Sequence, residues 1–123
     1  MTMMESTVDP LATTEYAGLF RTLADPTRLA IVQHLAAGPH RVTDLVDHMG
    51  FAQSTISKHL SVLLERGLVS VRSEGRSAVY ALQRQDHLSA LISAAEDLLH
   101  AGGTPLSLCA HLRGTSVPDV GAS

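Results

Sequence analysis

Residues 51–63, FAQSTISKHLSVL, decide how this chain is read. Ile56, Leu60, Leu63 and Leu64 recur at i, i+4, i+7 and i+8, the spacing of one buried helical face. That leaves Ser54, Thr55, Ser57, Lys58 and Ser61 pointing outward, a surface of small polar side chains and one cation. Gly50 stands just before the stretch and Gly67 after it, so a helix from Gln53 to Arg66 is bounded by glycines at both ends.

Before this stretch, Thr43 to Met49 reads as a short helix with Thr43 as its cap and Asp44 in the first turn, where a carboxylate suits the positive helix end. Two short helices joined by a three-residue turn that contains glycine match a helix-turn-helix. An ordinary helical hairpin has the same outline, but the residues after Gly67 favour the first reading. LVSVRSEGRSAVYAL alternates Val69, Val71, Val79 and Ala81 around a polar tip, the pattern of a β-hairpin turning at Gly75. Arg72 and Arg76 flank that tip, placed as a wing needs them to reach phosphates or a narrow minor groove.

Further upstream, ADPTRLAIVQHLAAGP carries Asp25 as a helix cap, Pro26 at the first helical position and Gly38-Pro39 as the stop. Thr14 to Leu23 places Tyr16, Leu19, Phe20 and Leu23 on one face of a first helix. Gln85 to His100 forms a last helix with a broad apolar stripe through Leu88, Leu91, Ile92, Ala95, Leu98 and Leu99. The fold class is mainly α with a small β-hairpin: a winged helix-turn-helix of about five helices and a two-stranded wing. Residues 1–12 are an N-terminal arm, 13–100 the folded domain, and 101–123 a flexible tail, Gly- and Pro-rich, with its end from Gly114 disordered.

The 123 residues suffice for one domain, which buries roughly two-thirds of its extended-chain surface on folding. Tyr16, Phe20, Phe51 and Tyr80 are the only aromatic residues, so binding by aromatic base stacking is not expected. No apolar run approaches the ~20 residues of a membrane span, and the N-terminus lacks a leader pattern, so a soluble cytoplasmic protein without a membrane partner is expected. A single cysteine, Cys109, excludes an intramolecular disulfide and fits a reducing compartment. No nucleophile is paired with a base in a motif and no phosphate loop appears, so the chain is not read as an enzyme.

The net charge of −3 is a poor guide to partners because it is unevenly spread. Residues 51–84 hold five basic residues against two acidic ones, a net of +3, while the remainder holds four against ten, a net of −6. The basic third contains the wing and the helix quoted above. A winged-helix module that docks a protein partner instead of DNA has no need of this division of charge.

LADPTRLAIVQHL (23–35), VTDLVDHMGFAQSTISKHLSVLLERGLV (42–69) and EGRSAVYAL (74–82), in this order and at these separations, resemble the ArsR/SmtB family of winged-helix repressors over about residues 14–100. The resemblance implies a dimeric repressor, usually of metal-export or detoxification genes, that leaves a palindromic operator in double-stranded DNA when an inducer binds. Carried onto this sequence, the DNA reader is the helix with Gln53, Ser54, Thr55, Ser57 and Lys58 at groove-facing positions, with His59 also in the motif and Arg72 and Arg76 in the wing. These side chains have the chemistry for it. Gln bonds adenine in bidentate fashion, Ser and Thr take a base edge or a phosphate, and Lys supplies charge. Tyr16, Phe20, Leu88, Leu91, Ile92, Leu98 and Leu99 are the expected homodimer interface, setting two recognition helices roughly 34 Å apart.

The resemblance also implies sensor sites that can be checked residue by residue. Residues 40–46 contain no cysteine. A site on the last helix is broken, because alignment on His87 puts Gln85, Leu98 and Ala101 at its other positions, and alignment on Asp86 puts Leu88, Leu99 and Gly102 there. A thiolate site shared between the recognition helix and the tail finds Val62 and Arg66 where two cysteines are needed, although Cys109 falls near the third. The remaining candidates are Cys109 and His111, with His100, His87 and Asp86, which suit Zn2+, Cd2+ or another borderline-soft divalent ion. A thiol-based or organic inducer is the alternative.

Overall fold

The computed structural model describes residues 8–103, 106–108 and 110–113. They form α1 (Pro10–Leu23), α2 (Pro26–Ala36), β1 (His40–Arg41), α3 (Val42–Met49), α4 (Gln53–Glu65), β2 (Val69–Glu74), β3 (Ser77–Leu82), α5 (Gln85–Ala101) and α6 (Ala110–Arg113). The three strands make one antiparallel sheet in the order β1-β3-β2.

The helix starts follow from local chemistry. Asp25 accepts a hydrogen bond from the Arg28 N–H at 3.0 Å, with Pro26 at the first position of α2. Asp9-Pro10 repeats the arrangement, its carboxylate accepting from Leu11 N–H at 3.0 Å. Helix α1 therefore begins at Pro10, four residues before the expected Thr14. In α3 the cap is not Thr43: Arg41 occupies the cap position, and its N–H donates to the Asp44 carboxylate at 3.0 Å. Gly50 ends α3 at φ 77, a left-handed conformation that glycine adopts without steric cost.

Helix α4 buries Ile56, Leu60 and Leu63 completely, packed among Ile31, Val32 and Leu35 of α2, Leu45 of α3 and Leu88 and Ile92 of α5. Leu64, expected on that face, is 39% exposed, because one further residue turns about 100° around the helix and the neighbours do not extend that far. The wing turns more tightly than its polar tip suggested: Glu74 pairs with Ser77, leaving Gly75 and Arg76 as a two-residue turn with Gly75 at φ 63. Strand β1, two residues long, has no period to read and exists only through its pairing of His40 with Tyr80 and Arg41 with Val79.

The apolar stripe of α5 divides along its length. Leu88 and Ile92 lie in the core of the single chain, Leu91 is half-buried, and Leu98 and Leu99 are exposed, as are Tyr16 and Phe20 on α1. Beyond α5 the described residues return to the body instead of trailing away as the tail from residue 101 was expected to do. Leu112 is fully buried, Leu108 packs against the core, and the Gln85 amide donates to the carbonyls of Ala36 at 3.4 Å and His111 at 3.3 Å. The expected disorder from Gly114 lies outside the described residues.

Candidate nucleic-acid interface

The turn between α3 and α4 presents the N-terminal half of α4 to solvent. Gln53, Ser54 and Lys58 are exposed, and Thr55 and Ser57 are half-buried at the edges of the face. Ala52 at the cap position offers no side-chain acceptor, so the first amides of α4 have no side-chain cap, an arrangement that suits a phosphate oxygen. The helix is anchored from the opposite face, where three aliphatic side chains have no exposed surface.

Beside this helix end runs a groove of about 290 Å3 lined by Arg41, Val42, Thr43, Gln53, Arg76, Ser77 and Ala78. It joins the start of α3, the start of α4 and the wing. Arg41 and Arg76 thus line one groove with Gln53. Sequence reasoning missed Arg41, which stands next to the helix-turn-helix but outside the basic third; only the pairing of β1 with β3 brings it to the wing.

The remaining basic residues are not equally available. Arg72 is engaged with Glu74, its Nη2 and Nε donating to one carboxylate oxygen at 2.8 and 3.2 Å. Both side chains are more than half exposed, so the pair is worth at most about 1 kcal/mol and yields readily to a phosphate. Arg66 turns to α1, with Nη1 3.7 Å from Glu15, and packs so closely on Gly18 that a Cβ there would lie 2.6 Å from its guanidinium. Lys58 and Arg76 form no ion pair among the described residues.

His59 does not join the open face. Its Nδ1 is 3.2 Å from Arg28 Nη1 and 3.9 Å from Asp25 Oδ2, which places the ring on the α2 side of α4. Arg28 in turn donates from Nε to the Thr22 carbonyl at 2.6 Å and from Nη2 to that of Arg21 at 3.2 Å, tying the end of α1 to the start of α2. The Arg28 N–H bond, against some loss of solvation and aided by the nearby positive charge, holds the Asp25 carboxyl below its ordinary pKa.

The candidate metal ligands are dispersed. Asp86 and His87 are exposed in the first turn of α5, and His100 is in its last turn, 4.0 Å from Glu96 Oε2, so about 20 Å of helix separates His87 from His100. His111 is exposed on α6, and Cys109 lies outside the described residues. Among the described residues no three His, Cys, Asp or Glu side chains converge as a preformed metal site.

Comparison with known proteins agrees with this geometry. Residues 25–71, from the cap of α2 into β2, match the model for bacterial regulatory proteins of the arsR family. A probable mercury resistance operon repressor from Streptomyces lividans is 34% identical over 98 residues, covering 80% of this chain and 78% of that protein. The HTH-type transcriptional regulator NmtR from Mycobacterium tuberculosis is 39% identical over 98 residues, 77% of this chain and 81% of its own length. Among solved structures, the transcriptional repressor BigR from Xylella fastidiosa superposes with a TM-score of 0.60 at 32% identity, over 70% of this chain and 87% of that one. With a recognition helix anchored by Ile56, Leu60 and Leu63, a wing beside it, and relatives that match most of its length, this chain belongs to the ArsR family of bacterial regulatory proteins and is a DNA-binding transcriptional repressor, not an enzyme.

Proposed function

We propose that the chain works in the cytoplasm as a homodimer that reads a palindromic operator through Gln53, Ser54, Thr55, Ser57 and Lys58, with Arg41, Arg72 and Arg76 on the flanking phosphates. The observation that carries this is the continuity of the exposed start of α4 with the groove that holds Arg41 and Arg76. His59 acts as a strut between α4 and α2 and not as a reader of bases, which its contacts with Arg28 and Asp25 support. Dimerisation uses Tyr16, Phe20, Leu98 and Leu99, apolar side chains left exposed on α1 and α5, while Leu88 and Ile92 hold α5 to its own subunit.

The inducer is a divalent metal ion. Support comes from the relative named for mercury resistance in Streptomyces lividans, 34% identical over 98 residues. Cys109 and His111 remain ligand candidates of the borderline-soft class, Zn2+ or Cd2+. Gel shifts with the DNA upstream of the chain's own gene test the reading. Lys58→Ala and Arg76→Ala each weaken binding and lower its salt slope by about one unit. Binding that ignores salt counts against operator recognition by this face. For the inducer, a divalent ion is expected to release the operator from the wild-type chain; an operator complex that withstands Zn2+, Cd2+, Ni2+ and Co2+ counts against this reading.

A further inference from the structure

Three of the seven histidines assemble away from the candidate ligands on α5 and α6 and from the exposed face of α4. His34 is in the last turn of α2, His40 in β1 and His48 in the last turn of α3. Their ring centres are 5.5 Å apart for His34 and His48, 5.7 Å for His40 and His48, and 6.3 Å for His34 and His40. Three separate elements contribute one ring each.

The chemistry of the cluster suits a cation. His40 Nδ1 lies 2.7 Å from the Gly38 carbonyl oxygen, and since a carbonyl only accepts, Nδ1 carries a hydrogen and Nε2 is the ring atom left to face a ligand. Metal-binding histidines are oriented by this same bond to the backbone. His34 and His48 each sit where a helix presents its negative end, which favours positive charge.

An imidazole bound through nitrogen keeps its ring centre roughly 3.2 Å from a zinc-class ion, so three rings on a tetrahedral ion stand about 5 Å apart. The observed separations exceed this modestly, and the donors do not converge as the side chains stand. His48 is exposed and the other two rings half-buried, which leaves room for the side-chain rotation that closure needs. We propose that His34, His40 and His48 of one subunit close on a single divalent ion of the Zn2+, Ni2+ or Co2+ class, with water completing the shell. Three nitrogens and no sulfur select borderline ions over thiophilic ones.

This site rests on the reading of the chain as a metal-responsive repressor and moves the sensor from the tail into the DNA-binding unit. An ion there links α2 to the first helix of the helix-turn-helix and to β1, whose His40 pairs with Tyr80 at the base of the wing. Arg41, next to His40, lines the groove with Gln53 and Arg76, so a shift of β1 changes how that groove meets DNA.

The test titrates Co2+, then competing Zn2+, into the chelator-treated full-length chain and reads visible absorption. Wild type binds one ion per chain with ligand-field bands and no thiolate charge-transfer band. His40→Gln and His48→Gln weaken binding at least about tenfold, whereas Cys109→Ser leaves it unchanged. Circular dichroism melts establish that the variants fold, and His48, being exposed, is the safer of the two. A thiolate band that disappears in Cys109→Ser, or histidine variants that bind as wild type does, overturns the site. In gel shifts, Zn2+ releases the operator from wild type and Cys109→Ser and fails to release it from His48→Gln. Release that survives the histidine substitutions overturns this site alone, whereas a wild-type chain that binds operator and responds to no divalent ion overturns the metal-inducer reading with it.

Discussion

Helices α4 and α5 carry similar apolar stripes and use them differently. In α4 the stripe is consumed within one subunit: Ile56, Leu60 and Leu63 have no exposed surface, and the polar face is left over. In α5 only the first half is consumed, by Leu88 and Ile92, while Leu98 stays 76% exposed and Leu99 lies beside it. A cavity of about 320 Å3, lined by Leu29, Ile92, Ala95, Leu99, Leu106 and Leu108 among others, opens on the same side. An amphipathic pattern therefore states that a face is to be buried and leaves open whether its own chain or another does the burying.

Deleting an anchor should separate the two helices most clearly. Leu60→Ala is expected to destabilise the subunit by about 2–5 kcal/mol in urea unfolding, through lost burial and the cavity left behind, whereas Leu98→Ala changes subunit stability by no more than about 0.5 kcal/mol. Equal effects would mean that the two stripes are used alike. Next, Leu98→Glu with Leu99→Glu is expected to give a folded monomer in analytical ultracentrifugation with weakened operator binding; a variant that remains dimeric removes the end of α5 from the interface. On the DNA side, Lys58→Ala lowers the salt slope by about one unit, and Arg72→Ala has the smaller effect because Arg72 gives up its pair with Glu74 to reach a phosphate.

The smallest effect is a pH dependence. The folded pKa of His34 lies below the ordinary 6.5, so the fold favours its neutral ring. The stability that this contributes is present above pH 6.5 and lost as pH falls through the lowered value. Thermal melts in chelator between about pH 7.5 and 5.5 should decline slightly, and less so in His34→Gln. Asp25 acts separately and lower: its contribution is present above its ordinary 3.8 and lost only as pH falls through its depressed pKa. A wild-type decline that His34→Gln leaves unchanged would assign the loss to another group.

Much of the fold is legible in the sequence because its signals are short in range. Asp25-Pro26, Gly50, Gly67 and Gly75 act through their own backbone and nearest neighbours, and the structure uses each where it was expected. Asp9-Pro10 carries the same signal, masked by the apolar period that begins later. The site is legible in part: the exposure of Gln53, Ser54 and Lys58 follows from the helical period, but the side that His59 takes does not, since it depends on where Arg28 of α2 arrives.

The order of residues along the chain settles where helices start and stop, which face of α4 is polar and where positive charge collects, because capping, glycine conformation and periodicity act within a few residues. It took the packed structure to join Arg41 to Arg76 and Gln53, to leave Leu64 outside while Leu112 is drawn in, and to bring His34, His40 and His48 together. These outcomes depend on how α2, β1, α3 and α6 pack against one another, and that packing is fixed by the shared core, which no window of neighbouring residues contains.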